Sequence, residues 1–149
     1  MNLIQSGGGI KMADTKNLTK NEIDKFLKGN QHGILAMAGD KPYALPIGYM
    51  YKRRTILMGL VTTGRKMNYI KKSKNVCFTI CKPRWETPKL KTPCTTVVLE
   101  GSLEKVTNRS YYGLKTKVPA KLQLYKIKVT KMGARKCNRK PCELFAEKK

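Results

Sequence analysis

The sequence predicts a mainly β protein, an antiparallel barrel of six strands with a few short helices. Six apolar runs of strand length are separated by Gly, Pro or charged turns, and they show no strand–helix–strand rhythm of a parallel sheet. The length of 149 residues fits one domain, and 40% hydrophobic residues suffice for a core. The predicted strands cover residues 33–38, 42–52, 55–61, 75–81, 95–106 and 122–131.

A short amphipathic helix is expected before the first strand. Thr19 and Glu22 have the spacing of a capping box, in which each side chain bonds the other residue's backbone N–H. Ile23, Phe26 and Leu27 supply an apolar face, and Gly29 marks the end of the helix. The sequence therefore places a helix between Thr19 and Gly29.

The first two strands form a predicted hairpin, with residues 39–41 as its turn. Pro46 lies inside the second strand and lacks a backbone N–H, which favours a sheet edge, a bulge or a kink facing a ligand. Residues 52–54 make the next turn.

The last two strands enclose a short predicted helix at 111–117, which ends before Pro119. Gly101 is expected to mark a β-bulge in the fifth strand. Period-two alternation predicts which side chains face the core. These are Val97, Leu99, Leu103, Tyr125, Ile127 and Val129.

A candidate anion site follows the third strand, in the segment T-T-G-R-K-M-N-Y-I from Thr62 to Ile70. Met67 and Ile70 lie three apart, as in a short helix, so Arg65 and Lys66 fall in its first turn. Cations there oppose the helix dipole, at about 0.3–1 kcal/mol each, unless an anion is bound. Backbone N–H groups, threonine hydroxyls and two cations together fit a phosphate. A solvated pair of charges in a loop is the alternative.

The charge of the chain is strongly positive, with a formal net charge of +23. No acidic residue occurs between Asp40 and Glu86, or between Glu104 and Glu143. Such a field favours anionic ligands, nucleic acid or membrane surfaces, unless it reflects only a general basic bias. No apolar run approaches the ~20 residues of a membrane helix.

The chain offers little for catalysis without a cofactor. His32 is the single histidine, and no two of the nine carboxylates have the spacing of an acid–base pair. The five cysteines show no close CxxC pair, so no metal site is expected. Without a signal peptide, we expect a cytoplasmic protein with reduced thiols. Three segments are predicted: a flexible arm at 1–15, the barrel domain at 16–135, and a basic tail at 136–149.

Three stretches carry a resemblance to a known family. They read G-I-L-A-M-A-G-D-K-P-Y-A-L-P-I-G-Y-M-Y at 33–51, T-T-G-R-K-M-N-Y-I-K-K-S-K-N-V-C-F-T at 62–79, and T-T-V-V-L-E-G-S-L-E-K-V at 95–106. The sequence resembles the pyridoxamine 5′-phosphate oxidase-like flavoproteins, and within them is most similar to the nitroimidazole-resistance-type branch. The resemblance implies a split β-barrel that binds FMN at a homodimer interface and acts as an oxidoreductase on a small-molecule substrate.

The resemblance also implies which residues hold the cofactor, and it assigns no catalytic residue. Arg65 and Lys66 would bind the flavin phosphate, helped by hydroxyl and amide donors of neighbouring residues. Side chains near the ring would come from the strand that contains Pro46 and from the start of the fifth strand. The complete set of expected FMN contacts is Pro46, Ile47, Thr62, Thr63, Gly64, Arg65, Lys66 and Thr96.

Two other classes of function remain open at this stage. One is a flavin- or haem-binding protein without turnover. The other is a basic small barrel that binds nucleic acid by stacking bases on Tyr43, Tyr49, Tyr51 and Trp85. The aromatic residues do not alternate with Lys or Arg along one strand, so nucleic acid is the less favoured partner.

Overall fold

The computed structural model of the protein describes residues 15–82, 94–115 and 117–137. Most of the predicted arm and tail, the segment 83–93 with Trp85, and Cys142 lie outside the described residues. The strands are β1 (Thr15–Asn17), β2 (His32–Met37), β3 (Tyr43–Gly48), β4 (Met50–Lys52), β5 (Thr55–Val61), β6 (Asn75–Lys82), β7 (Cys94–Lys105) and β8 (Leu122–Cys137). Two α-helices, α1 (Lys20–Gly29) and α2 (Arg65–Lys72), join them.

All strands pair antiparallel in one curled sheet, in the order β3-β2-β6-β7-β8-β5-β4, with β1 on β8. β3 also contacts β5, so the two ends of the sheet approach each other as in a half-barrel. The predicted mainly β, antiparallel split-barrel class is confirmed. Each predicted strand is present, and the count rises to eight because β1 is added and the second strand divides at Tyr49.

Between β3 and β4, the Tyr49 side chain packs into the core. The ring is 7% exposed, and its hydroxyl donates to the Leu27 carbonyl oxygen at 2.7 Å. Its backbone N–H donates to the Gln31 carbonyl at 2.8 Å, outside the β3 ladder. β3 is an edge strand, which confirms the expectation for Pro46.

The core lies between the concave face of the sheet and α1. Alternate residues of β2, β6 and β7 point into it, with Leu35, Phe78 and Val97 fully buried. α1 adds Leu27 and begins at the predicted capping box, since the Thr19 hydroxyl accepts from the Glu22 N–H at 3.2 Å and the Glu22 carboxylate accepts from the Thr19 N–H at 3.2 Å.

The register of β7 and β8 shifts at Gly101, where a bulge was predicted, but the extra residue lies in β8 and not in the strand that contains Gly101. Glu100 pairs with Lys131 and Gly101 pairs with Val129, so Thr130 is an extra residue of β8. Val129, expected to face the core, is 40% exposed opposite a glycine that offers no side chain to pack against.

The predicted helix over 111–117 is wrong. Among the described residues of this segment, which omit residue 116, only a single 3-10 turn forms, Ser110–Tyr112, and it ends at Gly113 in the left-handed conformation with φ of 71°. A helical turn cannot continue through that backbone geometry.

A two-residue turn joins β4 and β5, and both of its residues, Arg53 and Arg54, have positive φ (48° and 57°). Non-glycine residues rarely adopt this conformation. Here each guanidinium has a partner: Arg54 pairs with Asp24 of α1 at 3.4 Å, and Arg53 lies 4.5 Å from the Tyr111 ring centroid.

β8 extends beyond its predicted end through Lys136 and Cys137, and β1 pairs with that extension, Thr15 opposite Cys137. The strands therefore include residues that the sequence assigned to the arm and to the tail. The three-segment division of the chain stays a prediction.

Candidate functional site

The first turn of α2 carries the cations that the sequence placed there. α2 begins at Arg65, followed by Lys66, and it contains no acidic residue in this turn. The preceding residue, Gly64, has φ of 96° and no side chain that could cap the helix. The first amide N–H groups of a helix have no acceptor within it. In α2 the Met67 N–H donates to the Gly64 carbonyl at 3.1 Å, and no side chain caps the N–H groups before it, which lie beside two positive side chains.

No carboxylate of the described residues lies within ion-pair distance of Arg65 or Lys66. The Lys66 ammonium donates to the Thr63 carbonyl at 3.3 Å, which leaves further N–H donors of that group for a ligand. At the other end of the helix, Lys72 lies 3.9 Å from Asp40. The positive end of the helix dipole thus carries charge that nothing described neutralises, and an anion would stabilise it.

Two tyrosines that the sequence reasoning did not assign to the site hold Arg65. The guanidinium carbon lies 4.6 Å from the Tyr43 ring centroid and 5.9 Å from that of Tyr69. The two rings stack on each other at 5.1 Å with an interplanar angle of 25°. Tyr69 follows Arg65 by four residues on one helix face, a spacing that could have revealed it. Tyr43 comes from β3 and carries no such local signal.

One of the predicted phosphate donors, Thr62, already uses its N–H and O–H groups in hydrogen bonds within the protein. Thr62 donates its backbone N–H and its hydroxyl to the Lys121 carbonyl, at 2.9 Å and 3.2 Å. Both donors of Thr62 are therefore used inside the protein. Its role as a phosphate contact stays a prediction, as do the roles of Thr63, Gly64, Arg65 and Lys66.

Pro46 and Ile47 lie farther along the same edge strand. Pro46 is three residues beyond Tyr43, about 10 Å along β3, and is exposed on the outer face of the sheet. Ile47 points the other way and packs against the core. A ligand beside β3 would thus meet the Pro46 ring and only the backbone of Ile47.

Thr96 is not next to these residues within one chain. It pairs with Cys81, and the Thr96 hydroxyl lies 3.4 Å from the Cys81 sulfur. β7 is separated from β3 by β2 and β6, and the β7 residue in line with Pro46 is Val98, two residues from Thr96, so Thr96 and Pro46 are about 16 Å apart. The structure brings together residues 62–66 and the start of β3, and it leaves Thr96 on a different part of the sheet.

A cavity of about 670 Å³ lies at Thr96, between β1, β7 and β8. Its walls are mostly apolar, with Leu18, Ile23 and Val98, and Lys136 lies at its rim. The Lys136 ammonium donates to the Glu22 carboxylate, and this hydrogen bond lowers the pKa of Glu22 below its usual value. The cavity volume is that of a small-molecule site.

The aromatic residues proposed as a base-stacking platform are largely used inside the protein. Tyr49 is buried, and the Tyr51 hydroxyl donates to the Asp24 carboxylate at 2.6 Å. Burial and that carboxylate raise the pKa of Tyr51. Neither ring is available as an exposed platform.

Within the described ranges, no group of His, Cys, Asp and Glu could hold a metal ion, and neither helix is long and apolar enough to cross a membrane.

The fold is a curled antiparallel half-barrel in which two cations lie at the start of α2. A sequence profile described as pyridoxamine 5′-phosphate oxidase matches residues 19–112. The chain belongs to the pyridoxamine 5′-phosphate oxidase-like family, as the sequence resemblance implied. No curated protein sequence matches the chain significantly.

Solved structures share the fold at low sequence identity. An FAD-binding protein from Mesorhizobium loti is 19% identical, with a TM-score of 0.64, and the match covers 83% of this chain and 98% of that one. A candidate 5-nitroimidazole antibiotic resistance protein from Bacteroides thetaiotaomicron is 14% identical, with a TM-score of 0.62 and coverage of 81% and 86%. A haem-binding protein from Mycobacterium smegmatis is 12% identical, with a TM-score of 0.55 and coverage of 78% and 59%.

Proposed function

We propose that the protein binds FMN, with the flavin phosphate at the first turn of α2, and that it is an FMN-dependent oxidoreductase. The observation that carries this proposal is the pair Arg65 and Lys66, which no described carboxylate neutralises at an uncapped helix start. Membership of the family supports a flavin as the cofactor, and so does the FAD-binding protein among the structural neighbours.

The residues of this corner fit a phosphate monoester. The space beside Gly64 is open to a ligand, since the nearest atom to a Cβ built there would be the Lys66 ammonium at 3.9 Å. The N–H groups that begin α2 would bind phosphate oxygens, and the Arg65 guanidinium and Lys66 ammonium would neutralise their charge. Bound FMN would supply hydride transfer at its ring, and the protein would orient the ring and the substrate for it.

We further propose a homodimer, with the flavin between two chains. The outer face of the sheet carries a row of uncharged residues across β3, β2, β6 and β7, three of them apolar: Pro46, Ile34, Thr79 and Val98. Ile34 is 45% exposed at its centre. A second copy on this face would cover Ile34, and it could place its own Thr96 beside the phosphate corner, whereas Thr96 of the same chain lies three strands away from β3.

The test is the visible spectrum of the purified protein, with the released cofactor identified by mass. We expect the absorbance of an oxidised flavin and the mass of FMN. Arg65→Ala combined with Lys66→Ala should weaken FMN binding at least about 100-fold, because each charged hydrogen bond contributes about 1.5–3 kcal/mol.

The matched control removes the same charge from the same helix. Lys71→Ala combined with Lys72→Ala takes two cations from the last turn of α2, and we expect FMN affinity within about threefold of the native protein because those charges lie far from the helix start. Equal losses of FMN affinity in both double variants would show that FMN binding depends only on the overall positive charge of the protein. Full FMN retention in the first variant would place the phosphate elsewhere.

Turnover is tested separately from binding. Bleaching of the flavin absorbance by NADH or NADPH under anaerobic conditions, followed by reoxidation with an electron acceptor, would support the oxidoreductase. A flavin that resists both reductants would leave a flavin-binding protein without turnover. A Soret band in place of flavin absorbance would identify haem, and steeply salt-dependent binding of nucleic acid by a colourless protein would replace the flavin proposal.

A further inference from the structure

The Tyr43–Tyr69 pair fixes the position of Arg65, and this arrangement extends the phosphate site beyond its charged residues. Arg65 is exposed, and a long exposed side chain loses considerable rotamer entropy when a ligand immobilises it. The ring of Tyr43, 4.6 Å from the guanidinium carbon, already restricts that freedom. Part of the entropic cost of binding an anion is therefore met before the ligand arrives.

An aromatic partner and a carboxylate partner would affect the Arg65 guanidinium differently. A carboxylate partner would occupy N–H donors of the guanidinium and cancel its charge. An aromatic face contacts the plane of the guanidinium instead, so the N–H donors at its edge stay available and the charge is kept. Among the described residues, Arg65 is held by two rings and by no carboxylate.

The tyrosine pair is itself fixed by its surroundings. Tyr69 lies on α2, and Gly39 of the β2–β3 turn packs directly against it: a Cβ at Gly39 would lie 2.6 Å from Tyr69 Cε1. Tyr43 begins β3 and stacks on Tyr69 at 5.1 Å. The turn, the edge strand and the helix therefore form one packed unit that ends at the Arg65 guanidinium.

We propose that Tyr43, supported by Tyr69, is a positioning residue that orients the Arg65 guanidinium towards the phosphate of the bound ligand. This inference rests on the proposed function, because it assigns the phosphate to Arg65. It differs from a purely structural role in one respect: loss of the ring should weaken binding of a phosphorylated flavin and leave the unphosphorylated one unaffected.

The experiment compares FMN with riboflavin, which lacks the phosphate, by fluorescence titration of the cofactor-depleted full-length protein. We expect Tyr43→Leu to weaken FMN binding by about two- to fivefold, the range of an exposed cation–π contact, and to leave riboflavin binding unchanged. Tyr43→Phe keeps the aromatic face and should bind FMN like the native protein. With Arg65→Ala already present, Tyr43→Leu should cause no further loss.

The outcomes separate this inference from the function it rests on. A native protein that binds FMN no more tightly than riboflavin overturns the phosphate site itself. A native preference for FMN that survives in Tyr43→Leu, or an equal loss for both flavins, overturns the positioning role alone. So does a loss from Tyr43→Leu that adds to that of Arg65→Ala. If Tyr43→Leu does not fold, Tyr69→Leu takes its place under the same criteria.

Discussion

Gly101→Ala perturbs the bulge at which β7 changes register against β8. A methyl group at this position would lie 2.1 Å from the Lys128 carbonyl oxygen, 2.9 Å from the carbon of that carbonyl and 3.0 Å from Val129 Cα. All three are backbone atoms, so no side-chain rotation can relieve the clash. The two strands would have to separate until the oxygen reached ordinary van der Waals contact, at 3.4 Å or more.

Separation of the two strands lowers the free energy of unfolding in two ways. Overpacking in a well-packed region costs about 1–3 kcal/mol, and each backbone hydrogen bond lost beside the bulge adds about 1 kcal/mol. We therefore expect Gly101→Ala to lower the free energy of unfolding by about 2–5 kcal/mol. For a chain of this length, that corresponds to a fall in Tm of about 10 °C.

Urea and thermal denaturation, followed by circular dichroism, measure the effect. Gly133→Ala is the matched control: Gly133 lies in β8, where a Cβ would meet nothing within 4 Å. Its free energy of unfolding should stay within about 1 kcal/mol of the native value, since alanine costs less backbone entropy than glycine. A Gly101→Ala protein as stable as this control would refute the close approach at the bulge.

Three further predictions concern pH and assembly. Hydrogen bonding to Lys136 lowers the pKa of Glu22, so its stabilisation is present above the unfolded pKa of about 4.5 and is lost as pH falls through the folded value; Glu22→Gln should make Tm fall less steeply from pH 6 to pH 3, and an unchanged slope would contradict this. Burial raises the pKa of Tyr49 to about 12, so its contribution is present below pH ~10 and is lost as pH rises through about 12. Tyr49→Phe should therefore lose less stability across this range in alkaline unfolding curves, and an equally steep loss would count against the burial argument. Ile34→Asp should give a monomer in light scattering, because a carboxylate would be buried between two copies; a dimer that persists would move the interface to another face.

Local signals in the sequence predicted where both α-helices begin. The capping box of Thr19 and Glu22 depends on residues three apart, and the placement of Arg65 in the first turn of α2 depends on apolar spacing within one helix. Both are determined within a single turn of chain, so no tertiary contact was needed to foresee them.

The features that were missed depend on distant partners. β1 is only three residues long and has no periodicity, and it exists because β8 continues to Cys137 and offers an edge. The charged residues of that continuation, Arg135 and Lys136, gave no strand pattern. Tyr43 could not be linked to Arg65 for the same reason, since the hairpin turn and α2 meet only in the folded protein.

The Arg53–Arg54 turn depends on contacts outside its own hairpin. Two residues in the left-handed region cost about 1–2 kcal/mol each, and the compensating contacts run to Asp24 and Tyr111, outside the hairpin. The ion pair between Arg54 and Asp24 has the exposed guanidinium as one member, so dissolved counterions screen it. In concentrated electrolyte the Arg54–Asp24 ion pair should therefore weaken, which leaves the Tyr51–Asp24 hydrogen bond to join the β4–β5 hairpin to α1.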